Sequence, residues 1–202
     1  MGYRIRVLGI KAEQPDLAYL QNRLRESKST AILQIEAGED SSWGQLVLSH
    51  PNGPEIALIE YNPVIEGELG QEELQEFIEE VSEYKPITAA HWLEEYLPKV
   101  KVIYAFQLLS GTEVEGGWEA VHTLQSAIWT KTDGILHADS EGFSNEDGYY
   151  ILWQFGEQVK GKWKMAVLQS GKWIAFEMDL GNQAQRTDFL AGKVPAGVRL
   201  IK

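Results

Sequence analysis

Residues 117–155 restrict the possible folds more than any other part of the chain, because their apolar spacing changes from helical to extended. The first part, residues 117–131, has the spacing of an amphipathic helix. Its apolar side chains recur three or four positions apart, at Val121, Leu124, Ile128 and Trp129. The last part, residues 149–155, is an apolar run that predicts a strand. A chain that changes period over so short a distance predicts helices and strands within one domain.

Two polar side chains interrupt the apolar face of this predicted helix. Gln125 lies in the middle of the face, and His122 lies at its edge. A buried amide without a partner costs roughly 1–3 kcal/mol, so we expect Gln125 to be hydrogen-bonded, either within the fold or to a ligand. His122 is either a hydrogen-bonded core histidine or part of a binding site. Both are therefore candidate binding residues.

The rest of the chain predicts further helices and strands in alternation. Helices are predicted at residues 15–27, 71–84 and 89–97, with a short one near the C-terminus. Strands are predicted at residues 3–10, 31–37, 45–49, 55–61, 100–109, 162–169, 172–179 and 198–201. Ser170 and Gly171 predict a tight hairpin between two of these strands. The strand at residues 3–10 alternates apolar and charged side chains, so we expect it to be half-buried.

The order of these elements repeats along the chain. The apolar triplet Leu17, Leu20 and Leu24 of the first predicted helix has the same spacing as the triplet in residues 121–128. In both places the helix follows an apolar strand and precedes three more strands. We therefore predict an α+β fold made of two similar strand–helix–strand–strand–strand units with antiparallel sheets, related by internal duplication.

An acidic helix pair joins the two predicted units. We expect residues 1–65 to form the first α+β unit, residues 66–99 the connecting helices, and residues 100–202 the second unit. The charged side chains of the first connecting helix are all glutamates, at Glu72, Glu73, Glu76, Glu79, Glu80 and Glu83. Because each unit alone would leave an apolar face uncovered, we expect the two to form one compact domain.

The composition excludes several classes of protein. A formal net charge of −12 disfavours nucleic acid or an anionic membrane as a partner, because both require clustered Lys and Arg. The absence of cysteine excludes disulfides, thiolate zinc sites and cysteine nucleophiles. No apolar run approaches the ~20 residues of a membrane span, and the N-terminus lacks a signal-peptide pattern. We therefore expect a cytoplasmic protein.

No motif for phosphate binding, zinc-dependent proteolysis or a serine nucleophile occurs, and we expect no cofactor. The most suggestive polar cluster is formed by His137, Asp139 and Glu141, which alternate and would lie on one side of an extended chain. Imidazole and carboxylate groups at that spacing can bind a divalent metal or act as general base and acid. The same spacing fits an ordinary solvated loop.

The aromatic residues are concentrated in the second half of the chain. Five of the seven tryptophans lie there, at Trp118, Trp129, Trp153, Trp163 and Trp173. Trp173 lies on the opposite side of its predicted strand from Ile174 and Phe176, so we expect it to be partly exposed. Exposed tryptophan among polar residues is common at interaction surfaces.

These observations favour a non-enzymatic protein-binding or regulatory module, with another protein or a second copy of the chain as its partner. One alternative is a small metal-assisted or acid–base enzyme that uses His137, Asp139 and Glu141. The other is a small-ligand-binding protein with a cleft between the two halves.

Overall fold

The computed structural model describes residues 2–201, which form both helices and strands. The α-helices are α1 (Leu17–Glu26), α2 (Leu69–Glu80), α3 (Ile87–Tyr96), α4 (Gly117–Thr132) and α5 (Gln183–Leu190). The strands are β1 (Arg4–Gly9), β2 (Ile32–Glu39), β3 (Ser42–Ser49), β4 (Glu55–Pro63), β5 (Val102–Leu108), β6 (Ile135–Ala138), β7 (Gly142–Phe143), β8 (Lys162–Gln169), β9 (Lys172–Asp179) and β10 (Arg199–Leu200). In the described residues, no helix has the length and apolar character needed to cross a membrane.

The strands form two sheets. The larger sheet has seven strands in the order β2-β3-β4-β5-β1-β6-β7, and the smaller has three in the order β10-β9-β8. The pairs β2–β3, β3–β4, β4–β5 and β5–β1 are antiparallel, as are β8–β9 and β9–β10. The mixed α+β class predicted from the sequence is therefore confirmed.

The chain divides into two compact units. The first unit contains the residues up to Glu72 together with Val100–Leu136, and the second contains Glu73–Lys99 together with the residues from His137 onward. Each unit is thus built from two separate stretches of sequence. The predicted boundary at residue 99 coincides with one of these, whereas the one predicted at residue 65 does not.

The predicted internal duplication is not confirmed. The strand that follows α1 is β2, at the end of its sheet, whereas the strand that follows α4 is β6, which lies between β1 and β7. The predicted strand at residues 149–155 forms only isolated bridges at Tyr150, and β8 belongs to the smaller sheet. The acidic helices α2 and α3 do form, but their role as a connection between two copies is not confirmed either.

Two helices cover one face of the sheet in the first unit. Helix α1 contacts β2, helix α4 contacts β1 and β4, and the two helices contact each other. Most of their apolar residues are buried, including Leu20 and Ile128, whereas Leu17 and Trp129 are half-buried. On the sheet, Leu46 pairs directly with Ile59, so both side chains lie on one face, and both are fully buried. Amphipathic spacing therefore placed these helices correctly.

Strands β1 and β5 are interior strands of the larger sheet, and β1 is more deeply buried than its sequence predicted. The strand predicted at residues 100–109 forms as β5, which lies between β4 and β1, and its residues from Val102 to Phe106 are buried. The alternation of β1 predicted a half-buried strand, which is wrong. Val7 and Leu8 point to opposite faces of the sheet and are both fully buried, and even Arg6 is only 8% exposed.

Helix α4 ends at Thr132, one residue beyond the range that the apolar spacing predicted. Asp133, with φ of 46°, takes the left-handed position that closes the helix. The Asp133 carboxylate also lies 2.6 Å from the Lys11 ammonium. Gly134 is required because a Cβ there would lie 2.9 Å from the carbonyl oxygen of Leu8.

The second unit has its own apolar core beneath the smaller sheet. The β8–β9 hairpin forms as predicted, with Ser170 and Gly171 both at positive φ in its two-residue turn. Residues of β8, β9, α5 and the neighbouring loops form the buried cluster: Phe155, Met165, Val167, Phe176, Met178, Leu180 and Phe189. Ile151 is also fully buried, whereas Phe77 of α2 is only half-buried.

A hydrogen bond ties the segment before α1 to the centre of the first unit. The Tyr104 hydroxyl donates to the Glu13 carbonyl at 2.9 Å. Burial raises the pKa of the Tyr104 phenol above its ordinary value, because the phenolate would be poorly solvated. The unfolded chain ionises this group near pH 10, so its contribution to stability is complete below that pH and is lost as the pH rises further.

Replacing Tyr104 with phenylalanine should therefore change the free energy of unfolding at pH 7 and also its dependence on pH above 10. At pH 7 the variant should lose about 0.5–1.5 kcal/mol of unfolding free energy, since the hydrogen bond to Glu13 is gone. Between about pH 10 and 12 it should lose less stability than the natural chain, because no phenol ionises on unfolding. Urea unfolding at pH 7 and pH 11 measures both effects. Parallel pH curves for the two proteins would contradict this account.

Candidate functional site

The histidine of the predicted His137–Asp139–Glu141 cluster is part of an aromatic core. His137 lies in β6 and is 7% exposed. Its ring centroid is 4.6 Å from that of Phe77 and 4.5 Å from that of Phe143. The interpretation of this position as a solvated loop is therefore wrong. Phe77 and Phe143 also contact each other at 5.3 Å, and an imidazole packed against both rings contributes to the fold through its apolar contacts.

The carboxylates of the cluster lie in a tight turn. Ala138 pairs with Gly142, so Asp139 and Glu141 belong to the hairpin connection and not to an extended strand. Glu141 accepts a hydrogen bond from the Tyr150 hydroxyl. Within residues 2–201, no group of three or more His, Cys, Asp or Glu side chains is arranged to hold a metal ion. The alternating geometry predicted for the cluster is thus wrong, because the chain reverses at Asp139.

The structure places His122 and Gln125 on different sides of α4. Gln125 is 9% exposed and belongs to the buried side, as predicted. Its amide has no hydrogen-bond partner within residues 2–201, so a hydrogen bond within the fold is not found and one to a ligand stays a prediction. His122 is exposed, and its ring makes an edge contact with Trp118 at 5.6 Å. The two residues therefore do not form one site.

His122 lines an open polar groove of the first unit, with a volume of about 490 Å³. The other lining residues come from α1 and α4: Arg23, Glu26, Ser27, Thr123 and Ser126. The Arg23 guanidinium and the Glu26 carboxylate pair at 2.6 Å, so their charges offset each other. The groove therefore offers hydroxyl groups and one imidazole, without a net charge to select a ligand.

Trp173 lies in a cluster of aromatic rings at the surface of the second unit. It is half-buried, as the strand pattern predicted, and its ring makes an edge contact with Trp92 of α3 at 5.3 Å. Trp92 in turn stacks on Tyr96 at 5.1 Å with an interplanar angle of 26°. We call Trp92, Tyr96 and Trp173 the aromatic patch. A role of Trp173 in binding remains a prediction.

The rings of the aromatic patch are supported by packing contacts of α3 with its own residues and with β8. Tyr96 is only 7% exposed and supports the half-buried Trp92 from one turn further along α3. Helix α3 also contacts β8, the strand paired with the strand of Trp173. Trp92 was not among the binding residues predicted from the sequence. Its i, i+4 spacing to Tyr96 on a predicted helix indicates that the two rings are neighbours.

Charged side chains are exposed on the helices of the second unit. On α3, His91, Glu94 and Glu95 are exposed, and Lys172 is exposed next to Trp173. Helix α2 and the turn after it add four exposed carboxylates, those of Glu76, Glu79, Glu80 and Glu83. These residues give α2 and α3 a predominantly negative surface.

The aromatic patch thus combines partly exposed tryptophans, a buried support and charged neighbours on α3. Such an arrangement presents a large contact area whose rings lose little conformational freedom on binding. Among the candidate residues from the sequence, Trp173 belongs to it, while His122, Gln125 and His137 lie elsewhere in the chain. Comparison with known proteins gave no match to a family model, a curated protein or a solved structure.

Proposed function

We propose that this chain is a non-enzymatic protein-binding module and that the aromatic patch is its binding surface. The observation that carries the proposal is the contact between two half-exposed tryptophans, Trp92 and Trp173, at 5.3 Å. Tryptophan and tyrosine dominate the binding energy of many protein interfaces, where they fill pockets of the partner. A pair held in place by Tyr96 needs little ordering on binding.

The charges beside the patch favour a partner with basic side chains. Glu94 and Glu95 are exposed on the same helix as Trp92, and the whole chain has a formal net charge of −12. Opposite charges around an interface speed association and exclude wrong partners, while contributing less to affinity than the buried rings. We therefore assign binding energy to the tryptophans and partner selection to the glutamates.

An acid–base or metal-assisted activity at His137, Asp139 and Glu141 has less support. His137 packs against two phenylalanine rings, and Glu141 accepts a hydrogen bond from Tyr150. Both side chains are thus occupied within the fold. A catalytic acid or base must instead reach a substrate within hydrogen-bond distance.

Replacing Trp173 or Trp92 with alanine should remove binding to the partner. Loss of a residue that dominates an interface costs 2 kcal/mol or more, which is on the order of a 30-fold loss of affinity. The full chain, immobilised and exposed to native extract, provides the measurement, with captured proteins quantified for each variant. We expect the same proteins to be lost from both variants.

Trp118→Ala is the matched control for this experiment. Trp118 is 37% exposed and lies on α4, in the first unit, so its removal should leave capture unchanged. Circular dichroism and thermal unfolding establish that each variant is folded. Equal capture by all variants would contradict the proposal, as would a loss of equal size in Trp118→Ala.

A further inference from the structure

Strand β2 has an unpaired edge. It lies at one end of the seven-stranded order, and β3 is its neighbour on the other side. An edge strand carries backbone N–H and C=O groups that point away from the sheet and can pair with another extended chain. Which groups these are follows from the hydrogen bonds across the sheet.

The hydrogen bonds of the interior strands fix the orientation of β2. The Leu108 N–H donates to the β1 side, so the backbone N–H and C=O of Leu108 point away from Ala57, its partner in β4. Residues opposite each other in an antiparallel pair direct these groups either both toward or both away from each other, so those of Ala57 point away from Leu108 and toward Leu48 in β3. Leu48 therefore points away from its β2 partner Leu33. The polar backbone groups of Leu33 thus face outward.

A side-chain hydrogen bond gives the same orientation independently. The Leu33 carbonyl accepts a hydrogen bond from Gln21 Nε2 of α1 at 3.2 Å. Two residues further on, Ile35 also faces outward, since the register with β3 is regular up to that point. Its N–H and C=O, and the Leu33 N–H, have no hydrogen-bond partner in the part of the chain that the structure describes.

A groove runs beside this edge, between α1 and β2, with a volume of about 200 Å³. Its residues are Gln21, Leu24, Arg25, Ser29, Ala31, Ile32 and Leu33. Leu24 and Leu33 are almost fully buried, while Ile32 is 42% exposed. The groove therefore has an apolar floor and offers space for one aliphatic side chain of a chain paired with β2.

The end of the regular edge carries negative charge. The register shifts between Ile35 and Ala37, so regular pairing stops there, and Glu36 and Glu39 are exposed just beyond. Each copy of the chain has a formal net charge of −12, so two copies repel each other, whereas a basic segment is attracted to this edge. The charge therefore favours a basic segment over a second copy.

We propose that the β2 edge binds an extended segment of a partner protein, which adds an eighth strand to the sheet. The segment presents an aliphatic side chain to the groove between α1 and β2, and a Lys or Arg side chain to Glu36. It replaces Gln21 as the donor to the Leu33 carbonyl. This site lies in the first unit and does not depend on the function proposed for the aromatic patch.

Two blocked hexapeptides test the proposal, Lys-Val-Lys-Val-Lys-Val and Glu-Val-Glu-Val-Glu-Val. Titrated into the ¹⁵N-labelled full chain, the basic peptide should shift the amide resonances of residues 32–36 and slow hydrogen exchange at the Leu33 and Ile35 amides. The acidic peptide should bind at least about tenfold more weakly. Equal binding of the two peptides, or resonance shifts confined to other residues, would overturn the proposal.

Ile35→Pro removes an outward N–H without removing a hydrogen bond to β3, so the variant should fold and lose at least tenfold in affinity. Because proline can also disturb the strand, Glu36→Lys provides a second test. It should abolish the preference for the basic peptide, whereas Glu68→Lys, an equal charge change outside β2, should preserve it. Loss of the preference in both lysine variants would overturn the proposal. So would a dimer, found by sedimentation, that Ile35→Pro dissociates.

Discussion

Replacing Trp43 with alanine should lower the free energy of unfolding by about 3–5 kcal/mol. Trp43 is 0% exposed, although it lies on β3 close to a hairpin turn. Its ring makes an edge contact with Tyr61 at 6.1 Å and a tilted contact with Tyr104 at 5.8 Å. Alanine leaves a cavity between these rings. Strand β3 is paired on both sides, with β2 and β4, so it has little freedom to move into that cavity.

A polar contribution adds to this loss. Trp43 Nε1 donates a hydrogen bond to the Pro15 carbonyl at 2.8 Å, and this bond anchors the residues that precede α1. Trp43→Phe keeps most of the apolar contact but removes the donor. We therefore expect the phenylalanine variant to lose less than the alanine variant, about 1–3 kcal/mol, mainly because the Pro15 carbonyl is left unpaired.

Urea unfolding monitored by far-UV circular dichroism measures these losses, since tryptophan fluorescence changes with the substitution itself. Trp118→Ala is the control, because that ring is partly exposed on α4 and its removal should change stability by about 0.5 kcal/mol or less. A loss below 1 kcal/mol in Trp43→Ala would show that the ring is not a structural centre of the first unit.

Local periodicity was sufficient to find most helices and hairpins. Helix α4 was placed correctly because its apolar side chains recur at helical spacing, and Asp16 caps α1 by accepting a hydrogen bond from the Tyr19 N–H at 2.6 Å. The β8–β9 hairpin was recognised from Ser170 and Gly171, which adopt the positive φ that its short turn requires. These features depend only on neighbours in the sequence.

The order of strands could not be obtained in the same way. Residues 149–155 are as apolar as a strand, but their backbone groups bond to separate partners. The N–H of Tyr150 donates to Lys164, and that of Ile151 donates to Phe143. Burial of an apolar run does not distinguish a strand from an irregular segment inside a core. The apparent repeat between the two halves of the chain had the same origin, since similar periods arise in unrelated topologies.

The candidate site was predictable only in part. Alternation along one strand placed Trp173 on the side away from the core, and the structure agrees. The contact with Trp92 joins residues distant in sequence, which no local pattern predicts. The environment of His137 was not predictable for the same reason, because Phe77 packs on it from a helix sixty positions earlier in the chain. The spacing of His137, Asp139 and Glu141 predicted a polar cluster, whereas in the structure the imidazole packs on aromatic rings and the two carboxylates lie in a turn.

Replacing Phe189 with alanine should remove about 3–5 kcal/mol of unfolding free energy and should also release α5. Phe189 is 0% exposed and is the buried residue of this eight-residue helix. Its ring lies 6.5 Å from that of Phe176 and 6.2 Å from that of Trp153. A helix this short is not stable by itself in water, so its stability depends on the packing of this side chain.

Hydrogen exchange distinguishes this double effect from a simple loss in the core. In Phe189→Ala, the amides of residues 186–190 should exchange faster than those of β8 and β9 under conditions where the unit remains folded. Phe189→Leu keeps an apolar side chain and should lose less stability while preserving α5. Thr187→Ala, an exposed change in the same helix, serves as the matched control. If α5 kept its protection in Phe189→Ala, then Asn182, which accepts hydrogen bonds from the N–H groups of Ala184 and Gln185, would be its principal anchor.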